Sequence, residues 1–232
     1  MLPFLIVLRS DVGLIVAVIV IPLVIAGLVL AWYFSKKQVV KRALRNAPHR
    51  RINEFVTGEN GKVVGKVIFA GETLQAPLSK RKCAAYHVVV QEYRQHGKSG
   101  SWHTIIEEEK RGDLVLHDGI GYAFIEPHNI QSFLVQDASF SSGTFNDASH
   151  ELEGYLAQHG RKSTGLLGFN KSIRYREGVL EENEIVAAVG CGTWSTARQK
   201  NVRISGDRLL VIGVNEKGKL YLSDDPDVVK TE

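Results

Sequence analysis

Sulfur is scarce in this 232-residue chain, which holds two cysteines, Cys83 and Cys191, and one methionine. Two thiols are too few for a disulfide-built scaffold or a zinc module. Their spacing requires no cross-link, and both read as core residues. Eight histidines, His49, His87, His96, His103, His117, His128, His150 and His159, are scattered without the close pairing of metal ligands. No metal or other cofactor is expected. A broad basic surface is lacking too. The formal charge is +4, but before Ile52 eight bases face Asp11 alone, and from Ile52 onward 21 bases meet 24 acids. That mildly acidic remainder argues against nucleic-acid binding. Glycine-rich pieces at Gly97–Gly100 and Gly165–Gly168 lack the strand–loop–helix setting and the lysine of a phosphate loop. The adjacent acids Glu107–Glu109 and Glu181-Glu182 alternate faces if they lie in strands, so they do not converge on one ligand. Gly190-Cys191-Gly192 has the look of a nucleophile between glycines, but the run before it reads as a strand end rather than a base-assisted thiolate site. No catalytic residue is assigned, and an enzyme is not the expected reading.

With 44% hydrophobic and 23% charged side chains, the chain has the composition of a folded protein. Its apolar residues are unevenly placed. Val12–Phe34 is 23 residues without a charge. As a helix it is about 35 Å long, enough for a hydrocarbon core of about 30 Å. Pro22 should kink it, and Trp32 and Tyr33 stand where an interfacial aromatic belt belongs. A cleaved leader fits poorly: the run is too long, only Arg9 precedes it, and no small-residue cleavage site follows. The bases come afterwards, as Lys36, Lys37, Lys41, Arg42, Arg45, Arg50 and Arg51. Bases flanking a membrane helix favour the cytoplasmic side, which predicts a single-pass protein with its N-terminus outside and its C-terminal part in the cytoplasm. The same bases are candidates for anionic headgroups, at about 1 kcal/mol each. Lys36–Asn46 is expected to continue the membrane helix until Pro48 stops it.

From Lys62 the pattern turns to short β-rich runs separated by turn residues. Strands are expected at Val63–Phe69, Ala84–Tyr93, Trp102–Glu109, Leu114–His117, Tyr122–Ile125, Gln131–Val135, Ile173–Arg176, Glu184–Gly190, Val202–Ile204, Arg208–Gly213 and Lys219–Leu222. Ser139–Ser149 reads as a loop, followed by a helix from Ala148 to His159 capped by Asp147 or Ser149. Asn170-Lys171-Ser172 is a glycosylation sequon, irrelevant to a cytoplasmic domain. No βαβ alternation is present. The fold class is therefore a single N-terminal transmembrane α-helix followed by a mostly β, β-rich α+β domain, an antiparallel sheet or barrel with one helix. The segments are 1–11 as a short N-terminal piece, 12–34 as the membrane helix, 35–60 as a basic juxtamembrane linker, 61–226 as the β-rich domain and 227–232 as a frayed tail.

Four motifs follow one another in this domain. Leu74–Tyr93 has a small–Pro–Leu–Ser step ending in Pro77, Leu78 and Ser79, then a basic turn, then Cys83 and Tyr86 entering a long strand. Leu114–Pro127 has strand, Asp118-x-x-Gly121 turn, and a strand ending in Pro127. Ser172–Thr193 places Glu177 after an aromatic and ends a strand at Gly190, and Leu220–Pro226 closes the domain. Together they resemble the GIDE, or BAM, domain of membrane-anchored E3 ubiquitin ligases of the mitochondrial type, over roughly residues 61–226. In that family a second membrane helix and a RING finger follow. A RING needs eight Cys and His ligands, and no cysteine follows Cys191, so the chain reads as a RING-less homologue. The resemblance implies a membrane-anchored protein-interaction or scaffold module. Its partners would be the bilayer and an unidentified protein, with a second copy of the chain as a further candidate. The alternatives are ubiquitin-type transferase activity, which the family name implies, and a lipid-interacting, membrane-organising role.

Overall fold

The computed structural model describes residues 3–142, 149–164 and 171–230, and the backbone alone for residues 3–16, 96 and 142. Two helices open the chain, α1 (Pro3–Tyr33) and α2 (Lys36–Asn46), followed by one 3-10 turn, Ile52–Glu54. Next come β1 (Asn60–Ile68), the short β2 (Leu74–Gln75) and β3 (Lys82–Cys83), and the long hairpin β4 (Ala85–His96) and β5 (Ser99–Arg111). Then follow β6 (Leu114–His117), β7 (Tyr122–Ile125), β8 (Ile130–Phe133), β9 (Ala138–Ser142), α3 (His150–Gln158) and β10 (Ile173–Leu180). The chain ends through β11 (Ile185–Thr196), α4 (Ala197–Lys200), β12 (Arg208–Gly213), β13 (Leu220–Ser223) and α5 (Pro226–Val229).

Five strands close on themselves in the order β1-β6-β7-β12-β11 and back to β1. The β7–β12 pair is parallel and the other four are antiparallel. Numbered among themselves, these strands run 1-2-3-5-4, the connectivity of an OB-type Greek-key barrel. Period-2 burial fills the interior with Val63, Val67, Leu116, Ala123, Ile125, Ala188, Leu210 and Ile212. β13 leaves the barrel from β11, and β8 pairs with it in parallel.

A second sheet, β5-β4-β10-β9, is assembled from two insertions, one between β1 and β6 and the other between β7 and β11. Its buried face carries Tyr86, Val88, Val90, Ile106, Ile173 and Val179, covered by Leu152, Tyr155 and Leu156 of α3. The Ser149 hydroxyl accepts the Leu152 N–H and so sets the start of that helix at His150. Asp147, the sequon's Asn170 and the Gly165–Gly168 run lie outside the described residues.

The protein is β-rich with a small helical part, as read, but the sequence expectations need correction at several points. Parallel pairs enter the sheet at β7–β12 and β8–β13. Residues 138–142, read largely as loop, form β9 because they pair with Ile173–Glu177 of β10. Val202–Ile204 is not a strand; Val202 is buried in the β11–β12 connection. The expected frayed tail contains α5, which Asp225 caps by accepting the Asp227 N–H and which buries Val228. Lys36–Asn46 is a helix, α2, as expected, but it is packed on the domain rather than part of a free linker: its Val40 and Leu44 pack with Ala187, Val189 and Val228. Lys41 pairs with Asp225 at 2.7 Å and Asp227 at 2.9 Å, fastening α2 to α5.

α2 does not continue α1 straight: the two are bent by 58° at an extended Ser35. Counted over described side chains, no single helix is long and apolar enough to cross a membrane. Ala17–Tyr33 and the bent α2 reach that length and apolarity together. Because Leu44 is fully buried at this joint, Leu44→Ala should cost about 2–5 kcal/mol in chemical denaturation of the full chain in detergent. A loss under 1 kcal/mol would mean that α2 is not part of the packed domain.

Candidate functional site

Several motif residues meet at Glu177. This β10 carboxylate is fully buried, and its two oxygens accept the backbone N–H groups of Leu78 and Ser79, each at 3.0 Å. The turn after Pro77 is closed by the Lys80 N–H on the Ala76 carbonyl, with Lys80 in the left-handed region at φ 59°. Ser79 Oγ accepts from the Arg81 side chain at 3.1 Å, and Arg81 reaches Asp137 at 2.6 and 2.9 Å and Glu181 at 3.0 Å. Cys83 is buried beneath this turn, and burial together with nearby Glu177 pushes its thiol up to about 11. It is no thiolate at neutral pH. Tyr86 donates to Glu108 at 2.8 Å, as Tyr155 does at 2.7 Å. Burial alone would raise Glu108, but bonds from Lys110, Tyr155 and Tyr86 outweigh it and hold the carboxyl near about 2. Neighbouring Glu107 and Glu109 turn to other partners, His87 and the Arg111–Ser132 pair. Every carboxylate in this cluster serves structure.

A second group forms around Asp118. One oxygen accepts the Ile120 and Gly121 N–H groups at 3.0 and 2.8 Å, and the other accepts the Ile52 N–H at 2.8 Å. These backbone bonds lower its pKa against the opposing effect of burial. Gly121 is needed because a Cβ there would stand 2.7 Å from Ile52 Cγ2. The motif thus ties residues 48–54 across the barrel as a strap. Between strap and barrel lies an open cavity of about 740 Å³, bordered by His49, Arg51, Lys66, His117, Ile120 and Ile185. Burial and neighbouring Lys62 lower the His49 pKa, so its ring is neutral at pH 7. His117 is positioned by Nδ1 at 2.8 Å from the Gly121 carbonyl and by stacking on Tyr122.

The remaining motif positions stand apart from both groups. Pro127 is exposed after β7. Gly190 is in mid-strand, where a Cβ would collide with the Gly213 carbonyl. Cys191 is half-buried in the β11 ladder between Asn60 and Gly213, not at a strand end. Both cysteines are free, and among the described residues no group of three or more His, Cys, Asp or Glu is arranged to hold a metal.

Of the seven bases after the apolar run, six have partners among the described residues. Lys36 reaches Glu109, Lys41 and Arg45 reach Asp227, and Arg50 reaches Glu59. Lys37 and Arg42 lie over the rings of Phe133 and Tyr33. Arg51 stands at the cavity rim. Sequence reasoning missed the cavity because its walls come from four separate segments. The only signal was Asp118-x-x-Gly121, a turn with a carboxylate to spare for a distant N–H. No known protein family, curated protein or solved structure matches the chain.

Glu177→Ala leaves two inward N–H groups without an acceptor and should cost about 2–5 kcal/mol, while Glu177→Gln, which keeps an acceptor, should cost less. Equal losses in thermal unfolding would refute the carboxylate latch. A second expectation concerns Asp224, which is buried and accepts the Val135 N–H at 2.8 Å. Burial raises its carboxyl from 3.8 to about 7. The folded state then holds a proton that the unfolded state releases, so this contribution is present below pH 4 and is lost as pH rises toward 7. Asp224→Asn should flatten that decline in denaturation midpoints between pH 4 and 7; an unchanged slope would assign it to another group.

Proposed function

We propose that the chain is a membrane-anchored protein-interaction module, in which α1 is the anchor and the barrel with its second sheet is the part presented to a partner. The observation that carries this reading is the continuous exposed apolar run from Val18 to Phe34, which stands clear of a domain whose exposed aliphatics, Val56, Ile120, Ile185 and Val214, are scattered along the sequence. A continuous apolar helix needs either lipid or another protein around it, and Trp32, Tyr33 and the following bases suit the lipid boundary. The excess of Lys and Arg after α1 supports the cytoplasmic side for the domain. On this reading the GIDE resemblance concerns the domain's construction. Pro77, Leu78, Ser79, Glu177, Asp118 and Gly121 fasten loops to the sheets and leave the outer surface to vary.

Neither alternative gains a comparable observation. A transferase working through Cys83 would need an accessible, acidified thiol, and this one is buried with a raised pKa. Lipid organisation through the bases after α1 would compete with the ion pairs and ring contacts that six of them already make. Protease treatment of sealed, cytoplasm-side-out vesicles tests the proposal, with a tag placed after Glu232. Loss of the tag is expected, together with release of the domain into the soluble fraction when residues 1–34 are removed. Protection of the tag would put the domain on the opposite side. A domain that stays membrane-bound without residues 1–34 would sink the anchor assignment.

A further inference from the structure

The cavity under the strap has an unusual floor. At both ends of the β1–β11 ladder, which pairs Asn60–Lys66 with Ile185–Cys191, the bonds fall on odd residues of β1: Gly192 donates to Glu59 and Val67 donates to Glu184. Antiparallel pairing alternates, so the N–H and C=O groups of the even residues, Lys62, Val64 and Lys66, face away from β11 toward β6. Lys66 is met there by His117, the last residue of β6. Lys62 is met by the strap, donating to the Pro48 carbonyl at 2.8 Å and accepting the Arg50 N–H at 2.9 Å, in a parallel bridge. One further step of that bridge would give the Ile52 N–H to the Val64 carbonyl. Asp118 takes it instead. β6 has already ended, and Gly119, which the register would bring opposite Val64, is in the turn at φ 95°. The Val64 N–H and C=O therefore face the cavity, and neither the strap nor the turn after β6 bonds to them.

We infer that this gap binds an extended peptide segment of a partner, one residue of which pairs its own C=O and N–H with those of Val64. The inference rests on the interaction-module reading and names the surface that module uses. A donor and an acceptor side by side on a strand edge are complementary to another strand, the arrangement by which extended peptides add to sheets. Side chains on either side of the paired residue would meet Ile120 and Ile185, which are 56% and 47% exposed at the cavity wall. Arg51 and Lys66 are balanced in the lining by Glu54 and Asp118, so backbone pairing and the apolar walls, rather than charge, select the segment. The gap spans one residue pair between two sealed positions. It therefore admits a short strand and excludes a long edge-to-edge association.

The test uses the full chain in phosphatidylcholine nanodiscs and a displayed library of random ten-residue peptides, with enriched sequences resynthesised for binding by fluorescence anisotropy. Ile120→Arg alters an exposed side chain, leaves the fold intact and should weaken these peptides about tenfold or more. Amide exchange supplies an independent reading. In the free protein Val64 should exchange faster than Val63 and Gly65, and in the complex it should become protected with its amide proton shifted downfield. Peptides that bind but leave Val64 and Ile120→Arg without effect would overturn the groove assignment while the module reading stands. A library with no enriched binder would overturn it as well, and partner crosslinking from intact membranes would then decide the module reading separately.

Discussion

Everything in the domain depends on β11 finding partners along both edges at once. One edge pairs with β1 from Ile185 to Cys191, which closes the barrel. The other carries β13 at Ala187–Val189 and β12 from Cys191 to Thr196. Such double use requires close approach, and the strand supplies Gly190 and Gly192 where a Cβ would collide, beside the small buried Ala187 and Ala188. At Gly192 a Cβ would press on Phe55, the residue whose carbonyl also accepts the Trp194 indole N–H at 3.0 Å. The strap, α2 and the C-terminal helix all rest on this one strand or on its immediate neighbours.

That use of glycine explains which parts of the fold were legible in the sequence. Alternating β-branched runs announced β4, β6, β7 and β12, and Gly97, at positive φ, makes the turn between β4 and β5. β11 was read too short, because Gly190 looks like a strand end when taken alone and is in fact the price of packing against Gly213. β9 was hidden for a different reason. Its sequence, ASFSS, has little strand character of its own, and only pairing with β10 makes it a strand.

The motif residues teach a similar lesson about sites. Glu177 is a carboxylate deep in a sheet, a pattern that invites a catalytic reading, yet both oxygens are spent on backbone N–H groups. Asp118 is spent likewise. In each case a single acid spans two segments far apart in sequence, so neither bond could be foreseen from local pattern. The bases after α1 show the opposite error: a charge run read as a topology signal or lipid contact also fixes the geometry of a joint, through Lys41 and its two aspartates.

The same joint has a bearing on the order in which the chain takes shape. Lys41 and Asp227 are 186 residues apart. When α1 and α2 leave the ribosome, the aspartates that will hold α2 have yet to be made. Contacts of such long sequence separation form late, since the loop they close must be ordered first. Until α5 arrives, Val40 and Leu44 have no Val228 to pack against, and α2 is an amphipathic helix with part of its apolar face uncovered. Docking of α2 therefore waits on α5, and a chain cut short before Asp225 would leave α2 without the two aspartates that hold Lys41.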